Sequence, residues 1–223
     1  MIYHIDTGLI LEKFATDSEC PLCEIEKKAE EQFLYEFLND AVMEDSTRKK
    51  VNEKGFCKHH FDLLFKGQNK LSLALQTYTR TDYLLDGIKK ITSEKDAKKQ
   101  IEFLNKNTSS CIICELLNES MEKYYKGIAQ MFAHEKEFKD VLLNTKGFCI
   151  DHYKKLLEFS HGAGLKRKEY LEILSELQIK NLNRVQKDVK DFCDIHDYRN
   201  AYKPLGNAET ALPRAGIKLY GKK

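Results

Sequence analysis

Six of the seven cysteines fall into two patterns that could hold metal ions. Cys20-Pro-Leu-Cys23 is followed, after 33 intervening residues, by Cys57 and His60, and Cys111-Ile-Ile-Cys114 is followed, after 34, by Cys149 and His152. A divalent zinc ion takes four tetrahedral ligands from thiolate sulfur and imidazole nitrogen, and two ligands three positions apart at a helix start can reach one ion. Each CxxC with the CxxH downstream of it supplies three sulfurs and one nitrogen. The expected sets are therefore Cys20, Cys23, Cys57 and His60, and Cys111, Cys114, Cys149 and His152, with two zinc ions per chain. Iron, alone or as an iron–sulfur cluster, is the alternative cofactor. The loops between ligand pairs exceed the roughly 12–20 residues of common zinc modules. Each ion would have to clamp two helices and their turn.

The surroundings of the ligands repeat as well. Asn52, Lys54, Gly55, Phe56, Cys57 and His60 return in order as Asn144, Lys146, Gly147, Phe148, Cys149 and His152, and Glu24 and Glu115 each follow a CxxC. The pattern reads as an internal duplication. A glycine before each GFC lets the backbone turn sharply into the next helix, and Phe56 and Phe148 would shield the ion from water. Cysteines at a helix N-terminus meet the positive end of its dipole, which favours thiolate. Register makes His60 the ligand and His59 a surface neighbour. Asp151, which replaces His59 in the second copy, could bond nearby lysines or a ligand's free ring nitrogen. Glu24 and Glu115 suit a first helical turn. Cys193 and His196 form another CxxH without a CxxC of its own, and Cys193 is expected to be a buried structural cysteine.

Positioning these residues falls to helices. Only three prolines interrupt 223 residues, and apolar residues recur at three- and four-residue spacing. The periodicity predicts helices over about 21–39, 46–52, 57–66 and 71–104, then, after the linker "NKNTSS", over 112–133, 136–144, 149–159 and 165–192. In the last of these, Leu171, Leu182, Val185, Val189 and Phe192 form an apolar stripe suited to a partner helix. The expected fold is all-α: duplicated hairpins bearing CxxC/CxxH metal knuckles, packed with two long helices about a pseudo-two-fold axis. Residues 1–104 and 111–192 would be the two repeats of one compact body. The basic tail 193–223 is punctuated by glycine and proline, which predicts an extended segment with one short helical turn.

Lysine plus arginine (37) nearly balances aspartate plus glutamate (35), so bulk charge points neither to nucleic acid nor to an anionic membrane. No stretch approaches the roughly 18 apolar residues of a membrane span, and the N-terminus lacks a signal-peptide pattern. A cytoplasmic protein is expected, in which cysteines serve as ligands or reactive thiols rather than a disulfide framework. Dinucleotide, P-loop, HExxH and GxSxG motifs are absent from the sequence. Three functions fit: structural zinc sites supporting a surface for another protein, a thiol- or metal-based redox sensor or iron redox protein, and, less favoured, nucleic-acid binding through the tail.

The quoted motifs, CPLCE, NEKGFC with its histidine, the second CxxCE and GFCxxH, and the terminal "DYRNAYKPLGNAETALPRAGIKL", resemble an uncharacterised bacterial family, widespread in Firmicutes anaerobes, that is a domain of unknown function. The resemblance covers essentially the whole chain. It implies one-piece architecture and no established activity, cofactor or partner.

Overall fold

Residues 7–195 and 206–222 are described in the computed structural model, and among them there is no strand. The elements are α1 (Thr7–Phe14), α2 (Pro21–Leu38), α3 (Asp45–Lys54), α4 (Lys58–Lys66), α5 (Lys70–Gly87), α6 (Glu94–Thr108), α7 (Ile112–His134), α8 (Phe138–Leu143), α9 (Ile150–Glu158), α10 (Arg167–Ile195) and α11 (Ala211–Tyr220), with 3₁₀ turns at Asp40–Met43, Ser160–Lys166 and Gly206–Thr210.

The all-helical expectation holds, with differences that have local causes. The helix expected over 71–104 is two. Chain after Gly87 runs extended from Ile88, and Ser93 starts α6 by accepting the backbone N–H of Asp96 on its hydroxyl, a side-chain cap that restarts helical bonding. Gly87 permits this fold-back: a side-chain carbon there would lie 2.0 Å from the Phe103 ring of α6. The supposed linker "NKNTSS" is largely the last turn of α6. The tail is not extended over its described part, because Ala211–Tyr220 is a ten-residue helix whose Ala211 and Lys218 are buried. The apolar stripe of α10 is also displaced. Tyr170, Ile173, Leu174, Leu177, Val185 and three polar residues, Gln178, Asn181 and Asp188, are buried, whereas Leu171, Leu182, Val189 and Phe192 are half-buried. Polar groups occupy this stripe because the segments they hold present backbone and charge.

By packing, unit 1 comprises residues 1–27 and 121–223, and unit 2 comprises residues 28–120. In unit 1, Phe14 lies 5.8 Å from the Phe138 ring and 5.9 Å from that of Phe148, in a core that includes Ile10, Phe132, Leu156, Tyr170 and Leu174. Unit 2 packs Phe37, Leu38, Val51, Leu64, Leu73, Ile112 and Ile113 together, with Phe56 and Phe61 against them. The T-shaped Phe37–Phe56 contact, 5.6 Å between centroids, places one phenylalanine of the repeated GFC in this core. The other, Phe148, is fully buried in its own.

Candidate metal centres

Gly55 and Gly147, at φ of 66° and 76°, turn the chain in the left-handed region that glycine tolerates. Each turn delivers the following cysteine to a helix N-cap: Cys57 starts α4 and Cys149 starts α9. The histidine three residues on then lies beside its cysteine, with Sγ–Nδ1 distances of 3.2 Å in both pairs. A helical residue holds each glycine turn. In unit 1, Gln178 of α10 donates its amide to the Phe148 carbonyl (2.9 Å) and accepts the Phe148 N–H (3.1 Å). In unit 2, Arg80 of α5 donates to the carbonyls of Asn52 and Asn107.

The ligand sets are joined differently from the expected pairing. In unit 1, Cys20 and Cys23 meet Cys149 and His152; in unit 2, Cys57 and His60 meet Cys111 and Cys114. Each CxxC is thus completed by the CxxH of the other sequence repeat. Sequence proximity favoured the CxxH next downstream, but the backbone selects otherwise. In unit 2, Ile112 N–H donates to Gly55 O (3.1 Å), Ser110 Oγ donates to Lys54 O (2.8 Å), and Lys54 pairs with Glu115. In unit 1, Lys146 pairs with Asp17, and fully buried Lys218 of α11 donates to the carbonyls of both Glu19 and Lys146, the residues that precede the two ligand segments.

The separations between each CxxC and its CxxH match a single tetrahedral ion, and the 3.2 Å within each CxxH is slightly shorter. Bond lengths of about 2.3 Å to sulfur and 2.05 Å to nitrogen place tetrahedral ligand atoms about 3.8 Å (S–S) and about 3.5 Å (S–N) apart. In unit 1, Cys23 and Cys149 Sγ are 3.8 Å apart, and His152 Nδ1 lies 3.4 Å from Cys20 and 3.5 Å from Cys23. In unit 2, Cys57 and Cys114 Sγ are 3.8 Å apart, and His60 Nδ1 lies 3.4 Å from Cys111 and 3.3 Å from Cys114. A disulfide would require about 2.05 Å, and all seven cysteines are free thiols. Either cluster could hold a metal ion.

Charge is unevenly distributed within each set. Contacts with Cys20 and Cys23, against the opposing effect of burial, hold Cys149 well below the usual thiol range, while Cys149, Cys20 and burial push Cys23 far above it. Burial disfavours the imidazolium of His152, but the contacts with Cys149 and Cys20 outweigh it and raise the group to about 10. In unit 2, burial and then Cys111 push Cys114 up to about 12. Burial also opposes the Cys57 thiolate, yet the His60 backbone N–H, followed by Cys111 and Cys114, brings Cys57 below its usual value. Closely packed sulfurs compete for negative charge in this way, and a shared divalent cation stabilises all of them as thiolates.

Two carboxylates that sequence reasoning missed orient the histidines. Glu30 Oε1 lies 3.1 Å from His60 Nε2, and Glu26 Oε2 lies 3.5 Å from His152 Nε2. His60 Nε2 can donate to Glu30 and leave its Nδ1 lone pair free for a metal, whereas the longer Glu26–His152 contact is an ion pair to the raised imidazolium. The signal was present: Glu26 and Glu30 follow Cys23 at i+3 and i+7, one side of α2. Asp151 does not take this role; its carboxylate is exposed, 3.9 Å from Lys154. His59 is the exposed neighbour expected, 3.3 Å from the same Glu30 oxygen. Cys193 is exposed rather than buried and joins neither cluster, since position 193 falls off the buried side of α10. His196 lies outside the described residues.

A profile for a family of unknown function (DUF6062) matches residues 1–223. The chain belongs to this family. It is also 24% identical over 195 residues to an uncharacterized 23.9 kDa protein in the xynA 3′ region of Caldicellulosiruptor sp. (strain Rt8B.4), covering 86% of this chain and 89% of that protein. No solved structure matches. For this member of the family, the two Cys/His clusters are the chemical feature that the fold assembles.

Proposed function

We propose that this protein binds two zinc ions, each in a structural Cys3His site that fixes helix starts otherwise held by few backbone bonds. The observation that carries this reading is the gathering of four donor atoms within 4.8 Å of one another in both clusters, with sulfur–sulfur and sulfur–nitrogen separations of 3.2–3.8 Å among them. Four protein ligands leave no open position for substrate, as in closed structural sites rather than catalytic ones. Ligand atoms that all lie within 4.8 Å of one another suit one ion better than a multi-iron cluster. Metal analysis of purified protein tests the proposal: about two zinc ions per chain supports it, and a content near zero ends it.

The helical scaffold so fixed would present a surface to another protein. Leu71, Leu75, Tyr78 and Leu85, at steps of four, three and seven residues on one side of α5, are 69%, 48%, 72% and 65% exposed, and that side supports the reading. Arg214, Lys218 and Lys222 engage Asp188, Glu19 and Glu24, which argues against a role for these cations in phosphate binding. No helix among the described residues is long and apolar enough to cross a membrane. A cytosolic setting, where thiols stay reduced, accords with the free cysteines.

A further inference from the structure

The two clusters carry the same donors but differ in cover. In unit 1, Cys20, Cys23 and Cys149 are 0–1% exposed and His152 is 4% exposed. The end of α11 covers them: a side-chain carbon at Gly221 would stand 3.8 Å from both Cys23 Sγ and Cys149 Sγ. Lys218 in the same helix ties the two ligand segments together, and Lys222 anchors the end to Glu24 at 2.8 Å. In unit 2, Cys57 and Cys114 are half-exposed, and only Cys111 and His60 are buried. The sulfurs of these two less-buried residues are 3.8 Å apart.

Thiolate oxidation follows access as well as charge. We propose that Cys57 and Cys114 are a peroxide-reactive pair whose oxidation to a disulfide releases the metal of unit 2, while the covered centre of unit 1 keeps its own. The inference rests on the two-zinc reading above and assigns different behaviour to its two sites. One of the pair attacks a peroxide oxygen, forming its sulfenic acid as the O–O bond breaks and hydroxide leaves. The second thiolate attacks that sulfenic sulfur, forming the S–S bond and expelling a second hydroxide. Two electrons have passed from the sulfurs to the peroxide, and two solvent protons complete two waters. The sulfurs must close from 3.8 Å to about 2.05 Å, a shift of less than an ångström for each if both move. The metal, left with Cys111 and His60, dissociates as the divalent cation.

The test uses full-length zinc-loaded protein carrying Cys193→Ser, which removes the exposed thiol outside both clusters. Mild hydrogen peroxide is added with a chromogenic zinc chelator, and disulfides are mapped by mass spectrometry. The expected result is one zinc released per chain at least about tenfold faster than the second, with a Cys57–Cys114 disulfide and recovery on adding thiol and zinc. Equal release from both sites, earlier loss from unit 1, or a first disulfide involving Cys20, Cys23 or Cys149 would overturn the proposal. Metal content is measured before peroxide is added, and a starting value below two would instead show that the underlying two-zinc reading is wrong, and the inference with it. Lys218→Met supplies a second measurement: loosening the cover of unit 1 should raise the slow release rate toward the fast one, and an unchanged rate would count against cover as the cause.

Discussion

Replacing Lys218 by methionine removes a charge from a fully buried side chain while keeping a stem of similar volume. Its ammonium donates to two backbone carbonyls, those of Glu19 and Lys146, and lies 3.4 Å from the Glu19 carboxylate. Hydrogen bonds from a charged donor contribute about 1.5–3 kcal/mol each, so the two amount to about 3–6 kcal/mol gross. Part of this is offset because burial disfavours the charged lysine, as the downward shift of Lys218 indicates. Glu19 also keeps its bond from Arg184 at 2.6 Å. A net loss of about 3 kcal/mol follows, which for a chain of this size lowers the melting temperature by about 6–12 °C. The assay is thermal unfolding by circular dichroism on zinc-loaded protein. Lys222→Met is the control, because it removes a half-exposed ion pair worth less than about 1 kcal/mol. If Lys218→Met melts no lower than Lys222→Met, the buried lysine does not clamp the ligand segments.

The cross-joined ligand sets make a counting prediction. Cys20→Ser with Cys149→Ser damages one site and should leave about one zinc per chain, whereas Cys20→Ser with Cys57→Ser should leave none, by metal analysis. His60→Ala should lose the unit 2 metal and His59→Ala should keep it, with the same readout. Glu30→Gln should weaken zinc at unit 2 about 10- to 100-fold in chelator competition, because the carboxylate orients the His60 ring. Acidification should release both metals, since every ligand must be deprotonated to bind; affinity present at neutral pH is lost as pH falls, and a pH-independent affinity would contradict thiolate and imidazole ligation.

The eight residues of the two clusters stood out in the sequence because their spacing is local: a CxxC or CxxH is set by one helical turn. Which pairs join was not, since that depends on contacts such as Ile112 N–H to Gly55 O and Lys218 to Glu19 and Lys146, far apart along the chain. Helical periodicity located most elements but ran through the break after Gly87, where the Ser93 cap and the close approach of Phe103 decide the fold-back. The last helix was hidden by Pro213 and by Gly206 and Gly216, yet Ala211 and Lys218, seven residues apart, share its buried side. Lysine at a buried position carries no apolar signal, so its role could only emerge from the carbonyls it meets. Glu26 and Glu30 were readable by spacing alone, and became informative once Cys23 was known to lie in the first turn of their helix.

If two Cys3His sets, each joining one CxxC to the CxxH of the other repeat, bind zinc, zinc-edge X-ray absorption on purified protein, recorded with its metal content, will register them. Two zinc ions per chain are expected, each with three sulfurs at about 2.3 Å and one nitrogen at about 2.05 Å, and the Cys20→Ser, Cys149→Ser variant should retain the same average shell with half the metal. A shell rich in oxygen, metal–metal scattering of an iron–sulfur cluster, or loss of both metals from that double variant would contradict the two-zinc reading.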